Sequence, residues 1–433
     1  MLRKLCLTAR STMLHVAFWS LALSLGRTAS GEWLDGRATM YGAPAEVTAL
    51  LDTLRGPGSY GVLEYGSCGF TNKPQGTLPY PRDAVAASAD TNSDYPGSCG
   101  RCYEIRCKTG YILDNTGSPM RLEIFPNGTI NAVGYYQVDG SRLPAIRAAI
   151  RDSQGRSYAG NPAAPEGRSY TQCHDSDKTV RVRVIDSCPC TQVLPDGAPG
   201  VKPGGEVRRQ EWCCGPMPHF DLSWWAFEQL AHPLSGSMML QYRPVDCDSG
   251  APLPPNFISK VIYGSRGMRP GWSWEGYGVA DAQLSVPAVG PTGGAATCLD
   301  VTPGGGLTLR MRRGSEPGFQ PFKNAQRVDF WIRPGGSSNG PVAASKPQCQ
   351  VTQFKLFLMV DSVAKQQYCF KEVVLGVDVQ PVTAANGWLN FQVDMAAFQC
   401  SGALEPDRLN RLDFQNIGTS SCSFCLTGLE IVA

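Results

Sequence analysis

Two aspartates are the residues of this chain whose type and setting best suit bond-breaking chemistry. Asp186 follows the alternating segment Val180-Arg181-Val182-Arg183-Val184-Ile185, and Asp221 lies in His219-Phe220-Asp221-Leu222-Ser223, just ahead of a helix-like run. A glycosidic bond breaks when an acid protonates the leaving oxygen while a second carboxylate activates water or attacks the sugar carbon. Carboxylates at a strand end and a helix start fit that need. Each also has a plainer reading, Asp221 as a helix cap and Asp186 as a turn residue before Pro189.

Flat aromatic side chains are the other groups that could meet a sugar, because pyranose rings have apolar faces. Trp225, beside Asp221, is one candidate. Trp272 and Trp274, two apart and therefore on one face of a strand, and Tyr277 are candidates for a platform in the second half. Trp331 and Trp388 read as sandwich core. Cys99-x-x-Cys102 and Cys422-x-x-Cys425 could be redox pairs or half zinc sites. The first reading lacks a βαβ setting, and only His174, His219 and His232 are available to a metal after residue 30. Structural disulfides are therefore expected, with no metal and no cofactor.

The elements that must position these groups are strands. Of the 433 residues 18% are charged, and 48 Gly and 33 Pro interrupt short apolar runs. That composition suits all-β domains. Besides Val180–Ile185, strands are expected at Arg101–Cys107 and Met238–Val245. Further ones are expected at Leu307–Met311, Val328–Ile332, Phe354–Val360, Val373–Val377, Trp388–Val393 and Leu426–Val432. A helix is expected over Trp224–Ala231, with Asp221 and Ser223 as cap residues. Strand-helix alternation is absent, which excludes a dinucleotide fold.

Residues 1–30 read as a signal peptide, with a basic start, an apolar run from Met13 to Leu25, and small residues at Thr28, Ala29 and Ser30. Four basic and no acidic residues leave with it, taking the formal charge from +2 to about −2. Nucleic acid and membrane are accordingly not expected as partners. Cys6 lies in the signal; of the other cysteines ten fall between Cys68 and Cys247 and six between Cys298 and Cys425. Even counts on both sides of a Pro-rich break at 250–256 predict two separately oxidised domains, 31–249 and 257–433, in an extracellular setting. Asn127-Gly128-Thr129 is a glycosylation sequon and agrees with secretion.

Six segments in order carry a resemblance to a family. They are Ala38-Thr39-Met40-Tyr41-Gly42, Ser67-Cys68-Gly69-Phe70, the cluster Ser98–Cys107, Val184-Ile185-Asp186-Ser187-Cys188-Pro189, His219–Ser223 and Tyr242-Arg243-Pro244-Val245-Asp246-Cys247. Together they resemble the expansins and their relatives, the family-45 endoglucanases. The resemblance implies a six-stranded double-psi β-barrel over 31–249, with Asp221, Asp186, Thr39 and Tyr41 lining its groove. It also implies disulfides Cys68–Cys99, Cys102–Cys247 and Cys107–Cys173, leaving Cys188, Cys190, Cys213 and Cys214 to an extra loop. Residues 257–433 are more weakly similar to jelly-roll carbohydrate-binding modules, which implies a β-sandwich. The endoglucanases place a catalytic base shortly after their Thr-x-Tyr segment, where this chain has Ala43. Asp35, Glu46 and Asp52 are the nearby carboxylates. The implied function is a secreted monomer that binds cellulose or another β-glucan of the cell wall and loosens it without sustained hydrolysis. An endoglucanase using Asp221 as general acid, a lytic transglycosylase and a non-catalytic matrix binder are the alternatives.

Overall fold

The computed structural model describes residues 31–49, 61–114, 117–119, 122–124, 130–132, 151–156, 170–190, 217–255, 257–287, 289–335, 347–361, 366–369, 371–400 and 406–433. Residues 1–30, Asn127, Asp52, Cys213 and Cys214 lie outside them.

Six strands close a barrel: β1 (Leu34–Tyr41), β2 (Val85–Ala89), β3 (Cys102–Cys107), β4 (Thr179–Cys188), β5 (His219–Ser223) and β6 (Met238–Val245). Around the barrel the order is β1–β6–β3–β4–β2–β5 and back to β1. β1 with β5 and β2 with β4 are parallel pairs; every other neighbour is antiparallel. This is a mainly β architecture in which chain segments far apart in sequence lie side by side. Alternation explains the filling. Phe220 packs inside edge-on against Tyr103 and Tyr242, with ring centroids 5.0 Å away in both cases. His219 and Asp221, one residue to either side, must then face the other way. Helix α1 (Trp224–Glu228) follows β5 directly and is shorter than the run to Ala231 that the sequence suggested. Its cap is Ser223, whose hydroxyl accepts from the Ala226 N–H at 3.1 Å. Asp221 is part of a strand and has no capping role.

The second half is a β-sandwich made from one curled sheet. Its main strands are β7 (Val261–Gly264), β8 (Ser273–Val286), β9 (Ala296–Arg310), β10 (Arg327–Pro334), β11 (Phe354–Asp361), β12 (Trp388–Asp394), β13 (Arg411–Asn416) and β14 (Cys422–Val432). The central order is β11–β13–β9–β14–β10–β12, with β8 also on β9 and β7 on β14. β9 changes layers: Thr297–Val301 pairs with β14, and Gly306–Arg310 with β13. The intervening Thr302-Pro303-Gly304-Gly305 makes that bend. Phe330, stacked on Phe391 and edge-on to Phe414, fills the space between the layers.

The two halves meet in a continuous apolar core, and here the structure corrects an expectation. Trp272 and Trp274 are 0% and 3% exposed, so neither offers a free face to a sugar. Both pack at the junction. Gly271 N donates to Cys99 O at 2.9 Å, and Trp272 Nε1 donates to Ser259 O at 3.0 Å. Burying an indole, roughly 200 Å² at about 25 cal/mol per Å², favours this placement by on the order of 5 kcal/mol before ordering costs. Lys73 and Ala282 exchange backbone hydrogen bonds of 2.8 and 3.1 Å across the same junction.

Candidate functional site

The register puts the predicted polar residues in one row. Asp186 on β4 is opposite Ala87 on β2, Ala87 is opposite Asp221 on β5, and Asp221 is opposite Thr39 on β1. Adjacent strands are roughly 4.8 Å apart, so the backbones carrying the two carboxylates are about 10 Å apart, with only a methyl group between them. Two residues along β1 from Thr39, Tyr41 shares its face.

A buried chain of donors orients Asp221. Arg37 is 2% exposed and donates from Nε to His219 Nδ1 at 3.3 Å and from Nη1 to Leu113 O at 2.8 Å. An Nδ1 that accepts must be unprotonated, which leaves the proton on Nε2. That nitrogen is 3.2 Å from Asp221 Oδ1 and 3.1 Å from Thr39 Oγ1. The Thr39 hydroxyl in turn donates to Asp221 Oδ1. Burial lowers the His219 pKa, opposed by Asp221 and reinforced by the Arg37 charge, so the imidazole is neutral. Asn92 clamps the His219 backbone on both sides at 2.9 Å, accepting its N–H and donating to its carbonyl.

Asp186 is held differently. Its Oδ1 accepts the N–H groups of Ser67 and Ser187, each at 2.7 Å. Burial nevertheless raises its pKa, outweighing those bonds, and the Asp221 charge acts in the same direction. Gly66 lies against the Ile185 carbonyl where any Cβ would collide, which brings Ser67 onto the carboxylate. Tyr41 is the unusual member. Its hydroxyl is buried with no hydrogen-bond partner among the described residues. Burial raises its pKa well above the usual phenol range, and the charges of Asp186, Asp221 and Glu64 raise it further. Tyr41 is therefore a protonated donor facing carboxylates without bonding one.

Other predicted residues fall elsewhere. Trp225 is half-buried, with the Arg82 guanidinium 5.3 Å from its ring centroid. Tyr277 is half-buried on β8 with its hydroxyl covered and unpartnered among the described residues. Asp35 is ion-paired to Lys108 at 2.6 Å and lies four residues down β1 from Thr39, away from the row. Glu46 is exposed, and Ala43 accepts a hydrogen bond from Thr48. Glu64 is the carboxylate that sequence reasoning missed. It sits in a short turn two residues before Gly66, and only the fold brings it near Tyr41.

Disulfides join Cys68 to Cys99, Cys102 to Cys247, Cys107 to Cys173, Cys298 to Cys425, Cys349 to Cys422 and Cys369 to Cys400. None of these crosses from one half to the other. Cys188 and Cys190 are also disulfide-bonded. Among the described residues, no cluster of His, Cys, Asp and Glu could hold a metal ion, and no helix is long and apolar enough to cross a membrane.

No protein-family model matches the chain. Among solved structures it is similar to the family 11 carbohydrate-binding module of the cellulosomal cellulase Lic26A-Cel5E of Clostridium thermocellum. That match has 11% identity and a TM-score of 0.26, covering 41% of this chain and 96% of the other. A variant of a family 29 carbohydrate-binding module matches at 13% identity and a TM-score of 0.23, covering 40% and 88%. The tandem CBM22-1–CBM22-2 segment of Xyn10C from Paenibacillus barcinonensis matches at 13% identity and a TM-score of 0.24, covering 77% and 79%.

Proposed function

We propose that this is a secreted, expansin-like protein whose barrel groove holds a β-linked cell-wall glycan and loosens its packing without sustained hydrolysis. The observation that carries this reading is the unpartnered Tyr41 hydroxyl beside Asp186 and Asp221. A buried donor without an acceptor costs about 1–3 kcal/mol, which a sugar hydroxyl would recover once a small shift of the covering side chains admits it to Tyr41. Asp221, fixed by Thr39 and His219, would accept from a second hydroxyl. Each such bond contributes on the order of 1 kcal/mol, so displacing a chain from its neighbours takes several acting together. The sandwich would hold the barrel at the wall and raise its local concentration. Domain limits of 31–249 and 257–433, a removed signal at 1–30 and glycosylation at Asn127 belong to the same reading.

One observation favours a second reading, an endoglucanase with Asp221 as general acid. Glu64 is a third carboxylate whose charge reaches Tyr41, and it is paired with Arg82 at 2.7 Å. Reducing-end release from soluble β-glucan, measured beside extension of heat-inactivated wall, separates the two. The wild type is expected to extend the wall with no sustained release, and Asp221→Asn to lose extension. Sustained release abolished in both Asp221→Asn and Glu64→Gln would replace wall loosening with hydrolysis.

A further inference from the structure

The turn before Gly66 and the loop after Phe70 border an open, solvent-facing pocket of about 540 Å³, lined by Val62, Glu64, Tyr65, Gln75, Thr77 and Arg82 among others. It lies outside the Thr39–Asp221–Asp186 row and neighbours it through Glu64, whose charge reaches Tyr41. Tyr65 is 75% exposed, an unusual setting for an aromatic residue that helps form a cavity wall. Its hydroxyl end lies over Gly76, where an added Cβ would be 3.3 Å away, so the side chain spans the cavity edge and leaves its ring to solvent. Opposite charges are matched inside: Arg82 and Glu64 pair at 2.7 Å.

The facing wall, at Gln75, Gly76 and Thr77, is braced from behind by the other half of the protein. Residues 72–77 are tied to β8 through the Lys73–Ala282 backbone pair, a 3.0 Å bond from Leu284 N to Asn72 Oδ1, and another of 3.0 Å from Gln283 Nε2 to Gln75 Oε1. The sandwich thus adds to the loop's own Asn72–Thr77 and Gly76–Asn72 backbone bonds.

We infer that this cavity is a glycan subsite, with Tyr65 as the stacking platform and the Arg82–Glu64 pair and Gln75 as hydrogen-bonding groups for a neutral, equatorially substituted hexopyranosyl unit. Such a ring presents axial C–H groups to an aromatic face and vicinal hydroxyls to a donor-acceptor pair. Charge matching favours a neutral sugar over a uronate, because a carboxylate arriving beside Glu64 would compete for Arg82. The inference rests on the groove reading above and extends it along the glycan chain.

Calorimetric titration with cellohexaose and, separately, oligogalacturonate tests it, using the wild type, Tyr65→Ala and Tyr65→Phe. Wild type and Tyr65→Phe are expected to bind cellohexaose alike, and Tyr65→Ala about tenfold more weakly with unchanged thermal stability. Equal binding by Tyr65→Ala would overturn the subsite and leave the groove reading intact. Preference for oligogalacturonate would overturn the assigned sugar class. A wild type that binds neither oligosaccharide would overturn the groove reading and this inference together.

Discussion

At the scale of single residues, the site is governed by which groups burial leaves charged. His219 is neutral because Arg37 occupies Nδ1 and burial disfavours the cation. Asp186 is a carboxyl whose ionised form burial penalises. A raised carboxyl pKa means that the folded state keeps a proton the unfolded chain has released. Stability from this residue therefore falls as pH rises from about 4, the unfolded value, through the raised folded one. Asp186→Asn keeps an oxygen acceptor for Ser67 and Ser187 while removing the charge. At pH 7 the variant is expected to melt at or above the wild-type temperature, with the gap closing as the pH approaches 4. Scanning calorimetry across that range checks this, and a lower melting temperature at pH 7 would contradict it. Asp221 and Asp186 were visible in the sequence because their motifs are local. The roles of Arg37 and Glu64 were not, because β1 meets β5 across 182 residues and Glu64 sits in an unpatterned turn.

At the scale of elements, legibility followed hydrophobic alternation. Val180–Ile185 shows it and lies within β4. β2 does not show it. Val85-Ala86-Ala87-Ser88-Ala89 is buried at every position and carries no period-two signal, yet it sits between β4 and β5 in the barrel. Its small side chains are what the site requires, since a larger residue at Ala87 would fill the space between the two carboxylates. Trp272 and Trp274 illustrate the converse. Their Gly- and Ser-rich surroundings read as exposed, but those small residues instead allow two chain segments to approach closely.

At the scale of the whole molecule, barrel and sandwich are held together without a connecting disulfide among those described. The junction depends on close backbone contact. Gly69 adopts a φ of +78° and sits directly against the Trp274 carbonyl, where a Cβ has no room. Gly69→Ala therefore combines left-handed backbone strain with a clash between halves, and is expected to cost more than about 2 kcal/mol. The wild type is expected to unfold in one calorimetric transition, and the variant to melt earlier or in two steps. Unchanged melting in the variant would contradict this account of the junction. The partition into barrel and sandwich could be read from cysteine counts and the Pro-rich break, but the junction could not. Nothing in the sequence near Gly69 points to a partner two hundred residues away.

The central claim is that the groove keeps a donor in reserve for a glycan, and Tyr41→Phe tests it most directly. Removing an unpartnered buried hydroxyl is expected to leave thermal stability equal or higher, because no internal bond is lost. Titration with cellohexaose should show binding weakened by about tenfold, consistent with one lost hydrogen bond in a desolvated site. Wild-type affinity in Tyr41→Phe, or a loss of stability showing that the hydroxyl serves the fold, would contradict the account.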